Sequence, residues 1–273
     1  MKIISNPLEL KEYLQHKKQS VGFVPTMGAL HDGHVSLINE AKKGNDLVIV
    51  SIFVNPTQFS KDEDFDKYPR KDEADKKICE LSGVDVLFFP DANDIYGFDE
   101  VSVLAPKVRG FVLEGMSRPS HFNGVLTVVM KLLNMVSPTR AYFGKKDAQQ
   151  LNLISLMVKQ FFMSVEIVAV DTVRESDGLA KSSRNVYLSK DERQEALKIS
   201  SSLRLCANMV SKNILNTSEI LKSMREHLSG LEVYYAEILN KDFELIDEVD
   251  IGNTVVLLEV KIGSTRLLDN IWL

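Results

Sequence analysis

The sequence predicts an α/β protein, a doubly wound parallel sheet followed by a smaller α+β domain. Short runs rich in Val, Ile and Phe alternate with longer segments of helical period, which is the rhythm of βαβ units. The apolar runs are nearly continuous, as expected of strands covered by helices on both faces. After Val173 a polar, Gly-containing stretch over residues 174–189 marks a change of character. These observations predict a Rossmann-like domain over 1–173 and a smaller C-terminal α+β domain over 174–273 that closes over the ligand site.

The predicted strands of the first domain are 21–24, 47–54, 84–89, 141–143 and 165–170. Between the first two, residues 34–43 place Val35, Ile38 and Ala41 on one helical face. Lys42 and Lys43 complement the C-terminal dipole there, and Gly44 serves as the cap. Further helices are expected over 72–81, 125–136 and 148–161, the second stopped by Pro138. The tail predicts helices at 190–210 and 218–228 and strands at 233–239, 254–260 and 265–268.

Bulk properties exclude several classes. Lys and Arg number 33 against 38 Asp and Glu, with no long basic run to track a phosphate backbone, so nucleic acid is not an expected partner. Residues 1–10 lack the pattern of a signal peptide, and no stretch approaches the roughly 20 apolar residues of a membrane helix. Cys79 and Cys206 stand apart, with no Cys or His at metal-ligand spacing, which fits reduced thiols in a cytoplasmic protein.

Four segments carry chemistry, three of them expected just beyond strand ends, where ligands of doubly wound sheets bind. The first is Pro25-Thr26-Met27-Gly28-Ala29-Leu30-His31-Asp32-Gly33-His34. A helix N-terminus offers N–H groups and partial positive charge to phosphate, and the two imidazoles can donate to phosphate oxygens whose charge grows during displacement. The second, Asn55-Pro56-Thr57-Gln58-Phe59, presents amides able to read hydroxyl and carboxylate groups. The third, Gly144-Lys145-Lys146-Asp147-Ala148-Gln149-Gln150, combines close backbone approach with a mobile cation. The fourth, Asp177-Gly178-Leu179-Ala180-Lys181-Ser182-Ser183-Arg184-Asn185 at the domain junction, has hydroxyls and cations that suit a loop gating a triphosphate.

In this order, and with Tyr68-Pro69-Arg70, Leu113-Glu114-Gly115 and His121-Phe122-Asn123-Gly124-Val125, the segments resemble the pantothenate synthetase family of the nucleotidyltransferases with a His-x-Gly-His turn. The resemblance implies that ATP activates pantoate as an acyl-adenylate, which β-alanine then attacks to give pantothenate, AMP and pyrophosphate. It implies catalytic roles for His34, His31 and Lys146. It assigns ATP to Met27, Gly28, Ala29, Leu30, His31, Asp32, Gly33 and His34, to Gly144, Lys145, Lys146 and Asp147, and to Val173, Lys181, Ser182, Ser183 and Arg184. Pantoate falls to Gln58 and Gln150, and β-alanine to Gln58. Tyr68 and Arg118 are secondary candidates, near the substrate cavity and the pyrophosphate side. Lys181 departs from the family pattern, where Met or Leu is expected.

The same resemblance implies a homodimer and magnesium with ATP, and no tightly bound organic cofactor. The protein ligands of magnesium are not readable from the sequence; Asp75 is the one residue that suggests itself. Three other readings compete. A nucleotidyltransferase acting on a phosphate-bearing acceptor would place more cations beside Asn55 and Gln58. An aminoacyl-tRNA synthetase would need a larger C-terminal module, and a nucleotide sensor would bind ATP without turnover.

Overall fold

In the computed structural model, which describes residues 1–59 and 65–273, the apolar runs form one parallel sheet and one antiparallel sheet. By contacts the chain divides into two units, Met1–Gly144 with Leu153–Asp171, and Lys145–Asn152 with Thr172–Leu273.

The first unit contains β1 (Lys2–Ile4), α1 (Pro7–Leu14), β2 (Val21–Thr26), α2 (Asp32–Gly44), β3 (Leu47–Ile52), α3 (Asp72–Leu81) and β4 (Val86–Phe88). Two short helices, α4 (Ala92–Ile95) and α5 (Glu114–Ser117), precede α6 (His121–Val136), β5 (Arg140–Gly144), α7 (Ala148–Gln160) and β6 (Glu166–Val170). The first turns of α7 belong to the second unit. The strand order is β1-β4-β3-β2-β5-β6, with every pairing parallel. Chain order reverses between β2 and β5, so the ends of these neighbours at Thr26 and Gly144 open the topological switch point where ligands bind. Val24, Val48, Val50, Ile52 and Leu87 pack with Leu37, Ile38 and Ala41 of α2 and Cys79 of α3 in one apolar cluster. The helices α1 and α6 pack together, and α6 contacts β2.

The expected elements form with shifted ends. α2 starts at Asp32 because His31 caps it, and Gly44 is its last helical residue, with extended Asn45 as the cap. α6 starts four residues earlier than its apolar period suggested, because its first turn buries His121 and Phe122. β1 and α1 were not anticipated. A three-residue strand carries too short an apolar run to register, and α1 buries Leu10 alone.

The second unit holds α8 (Lys190–Ser211), α9 (Thr217–His227) and an antiparallel sheet of β7 (Glu232–Asn240), β8 (Thr254–Ile262) and β9 (Thr265–Trp272). Ser189 and Glu192 form a capping box that starts α8. Ile199, Leu203 and Cys206 of α8 pack with Ile220 and Met224 of α9 and with Val256, Leu258 and Val260 of β8. β9 runs four residues past its expected end, because Asp269 and Asn270 are polar yet buried.

Both cysteines are free and buried. Burial pushes the Cys79 thiol up to about 12, with Asp75 adding to the effect, and burial pushes Cys206 up to about 11. Neither thiol should react with a disulfide reagent such as dithionitrobenzoate at pH 8 until the protein is unfolded. Release of thionitrobenzoate by the native protein within minutes would contradict that burial.

Candidate active site

Thr26 closes β2 by donating from Oγ1 to the Ser51 carbonyl at 2.8 Å and accepting from Gly28 N–H at 3.2 Å. The chain then turns sharply through Gly28 at φ 83° and Ala29 at φ 49°. Left-handed backbone is free for glycine and strained for alanine, so something must hold Ala29 there. The Ala29 and Leu30 N–H groups donate to the two oxygens of Asp75, at 2.7 and 2.8 Å.

His31 and His34 follow on the first turn of α2, half-buried, with ring centroids 4.2 Å apart. Gly33 N–H donates to His31 Nδ1 at 3.1 Å, and His31 N–H donates to His34 Nδ1 at 3.2 Å, a reciprocal capping arrangement. A ring nitrogen that accepts a hydrogen bond carries no proton, so both neutral imidazoles hold theirs on Nε2. The local turn thereby sets both rings as Nε2–H donors, the form that stabilises negative charge growing on a phosphate.

The second segment forms a single 3₁₀ turn, Pro56–Gln58, capped by Asn55. Asn55 Oδ1 accepts from Thr57 N–H at 3.3 Å, Thr57 Oγ1 at 3.0 Å and Tyr96 Oη at 2.7 Å. Its amide nitrogen must therefore face Gln58 Oε1, 2.8 Å away, and the Gly124 carbonyl at 3.2 Å. With its oxygen so engaged, the buried Gln58 has its NH2 group to offer, suited to a carboxylate or hydroxyl oxygen.

The main chain of Gln58 is held from behind by a buried cluster of Glu114, Arg118 and His121. Arg118 donates to Glu114 Oε1 at 2.9 Å, to His121 Nε2 at 3.0 Å and to the Gln58 carbonyl at 3.3 Å. His121 Nδ1 lies 2.8 Å from the same carbonyl, which can only accept, so this ring has its proton on Nδ1. The structure thus ties Arg118 to Gln58. Tyr68 is buried and packs edge-on against Phe59, with ring centroids 5.8 Å apart.

In the second unit, Lys146 Nζ lies 3.2 Å from Asp147 Oδ1. The carbonyls of Lys145 and Lys146 both accept from Asn270 Nδ2 of β9, at 2.9 and 2.7 Å. Gln150 is half-buried. Val173 accepts from Lys181 N–H at 2.9 Å, which folds the 173–181 segment back on itself and leads into the turn Ser183–Tyr187. Ser182 caps that turn through Arg184 N–H at 3.3 Å. Lys146, Ser182, Arg184 and Arg266 line one pocket of this unit, and Asp269 beside them is neutralised by a bidentate pair with Arg174 at 2.6 and 2.9 Å.

A model of the family described as Pantoate-beta-alanine ligase matches residues 2–272. The chain belongs to this family. A pantothenate synthetase of Sulfurimonas denitrificans is 70% identical over 273 residues, the whole of both chains. The crystal structure of a pantothenate synthetase from Thermus thermophilus superposes with a TM-score of 0.95 at 37% identity, over 99% of each chain. A pantoate-beta-alanine ligase from Francisella tularensis, complexed with beta-gamma ATP and beta-alanine, matches with a TM-score of 0.83 at 38% identity, covering 100% of this chain and 97% of that one.

Several contributors to this ligase's candidate site escaped the sequence reading. Asp75 suggested itself only as a metal ligand, whereas its oxygens take two turn N–H groups. Among the described residues no group of three or more His, Cys, Asp or Glu side chains is placed to hold a metal ion. Tyr96, Arg266 and Asn270 were missed outright. The signal for Asn270 was present: Asp269-Asn270 interrupts the apolar run of Leu267, Leu268, Ile271 and Trp272, and a buried polar pair in a strand needs partners.

Proposed function

We propose that the ligase uses the residues assembled above in two half-reactions. The activity is the ATP-dependent condensation of pantoate with β-alanine to pantothenate, AMP and pyrophosphate. In the first half-reaction a pantoate carboxylate oxygen attacks the α-phosphorus of ATP, the bond to the bridging oxygen of the β-phosphate breaks, and pyrophosphate leaves. In the second, the β-alanine amine attacks the acyl carbon and AMP departs. The observation that carries this reading is the pair of Nε2–H imidazoles at the N-terminus of α2, beyond the end of β2.

On this reading His34, assisted by His31, donates to the reacting phosphates, and Lys146 neutralises charge that develops on them. Met27, Gly28, Ala29, Leu30, Asp32 and Gly33 surround ATP on the first unit. Gly144, Lys145, Asp147, Val173, Lys181, Ser182, Ser183 and Arg184 serve the nucleotide and its polyphosphate. The Ala29 and Leu30 N–H groups are committed to Asp75, so contacts of these two residues with ATP go through other atoms. Gln58 and Gln150 hold pantoate, Gln58 through its NH2 group, which also serves β-alanine.

Magnesium belongs to the substrate as MgATP, coordinated chiefly by phosphate oxygens. ATP as substrate favours a cytoplasmic enzyme; among the described residues no helix is long and apolar enough to cross a membrane. A homodimer is supported by Phe98, Val101, Leu104, Val108 and Met116, large apolar side chains exposed along one segment.

The test is AMP and pyrophosphate release from the purified protein with MgATP and pantoate, with and without β-alanine. AMP should appear only with both substrates, from a species that sediments as a dimer. Folded protein that binds ATP and releases neither product would overturn the reading of the reaction, and a monomer at assay concentration would overturn the dimer.

A further inference from the structure

We propose that Asp75 is a positioning residue for the adenylation step, acting as a clamp that sets the His31/His34 turn before ATP arrives. Asp75 is 1% exposed and sits in the first turn of α3, 45 and 46 residues along the chain from the two amides it binds. Its Oδ2 accepts from Ala29 at 2.7 Å and its Oδ1 from Leu30 at 2.8 Å, short distances typical of charge-assisted bonds to a carboxylate. A carboxylate is the one side chain of this size with two acceptor oxygens spaced to take consecutive N–H groups.

The clamp acts where the backbone is least able to hold itself. Ala29 is left-handed at φ 49°, a conformation that costs a non-glycine residue free energy and persists only when its surroundings enforce it. A Cβ added at Gly28 would meet Asp75 Oδ2 at 3.1 Å, so the carboxylate lies directly against the turn. Leu30 precedes His31, whose own N–H completes the cap with His34 Nδ1. The chain of constraint therefore runs from Asp75 through Ala29 and Leu30 to both imidazoles. Burial pushes the Asp75 carboxyl above the usual carboxylate range, against the pull of the same two N–H donors, so the group is held at a cost to its charged form.

This inference rests on the reading of the two half-reactions and assigns one of them to Asp75. Asp75→Asn keeps the shape but offers one acceptor oxygen, so one turn amide faces an NH2 group instead. Pyrophosphate release from MgATP and pantoate should fall roughly 10- to 100-fold, the effect of losing one bond to a charged acceptor. The amine step, measured with supplied pantoyl-adenylate and β-alanine, should change by less than about threefold, because it does not need the triphosphate aligned. Equal losses in both steps would reduce Asp75 to a fold-stabilising residue, and near-normal pyrophosphate release would remove it from positioning.

A second measurement uses the wild-type enzyme without substrates and so does not depend on the variant folding. The Ala29 and Leu30 amides should be protected from hydrogen exchange. Exchange as fast as exposed amides would overturn the clamp. If the wild-type enzyme itself made no adenylate, the reaction assignment would fail while the exchange result stood.

Discussion

Replacing His34 by Ala is expected to lower pantoyl-adenylate formation by roughly 10²- to 10⁴-fold, the range for losing a positioned proton or hydrogen-bond donor to a transition state. The ring stands half-buried at the start of α2, so its removal leaves no large cavity. Its Nδ1 does accept the His31 N–H at 3.2 Å, and losing that cap should cost about 0.5–2 kcal/mol of stability. The two effects separate by measurement. Pyrophosphate release under saturating MgATP and pantoate reads the chemistry, and thermal unfolding reads the cap. A variant within tenfold of wild-type turnover would show that His34 is not the principal donor.

Gly124→Ala should impair pantoate binding by a wholly steric route. A Cβ at position 124 would lie 2.2 Å from the Thr57 carbonyl oxygen, 2.5 Å from its carbon and 2.8 Å from Gln58 N. All three are backbone atoms, so no side chain can swing aside, and α6 and the 55–58 turn must separate. That movement also stretches the bond from Asn55 Nδ2 to the Gly124 carbonyl, which helps fix the amide that donates to Gln58 Oε1. Overpacking of this kind typically costs about 1–3 kcal/mol. The expected signature is a lowered Tm with the KM for pantoate raised far more than that for ATP. Gly97→Ala is the control, since its Cβ would meet only Glu100 Oε2 at 3.8 Å. Comparable behaviour of the two variants, or equal rises in both KM values, would detach α6 from pantoate binding.

Local pattern made much of the fold legible. Continuous apolar runs at 47–54 and 84–89 mark strands because both faces of the parallel sheet are covered. The Gly28 and His31 positions mark a strand-to-helix turn because few other residues suit such a bend and such a cap. What escaped lacked local periodicity: a three-residue β1, the short α4 and α5, and a β9 whose register passes through Asp269 and Asn270.

The same division runs through the candidate site. Which residue types stand beyond the strand ends is written in the sequence, and so are the four motifs and the family they resemble. Tertiary structure alone decided that Asp75 pins Ala29 and Leu30, that Glu114, Arg118 and His121 brace Gln58, and that Asn270 reaches back 125 and 124 positions to the Lys145 and Lys146 carbonyls. Those bonds join segments far apart in the chain, and each is made because a buried donor or acceptor must find a partner once packing has removed water. Periodicity can say that a side chain is buried, but its partner is set by the register in which distant elements meet.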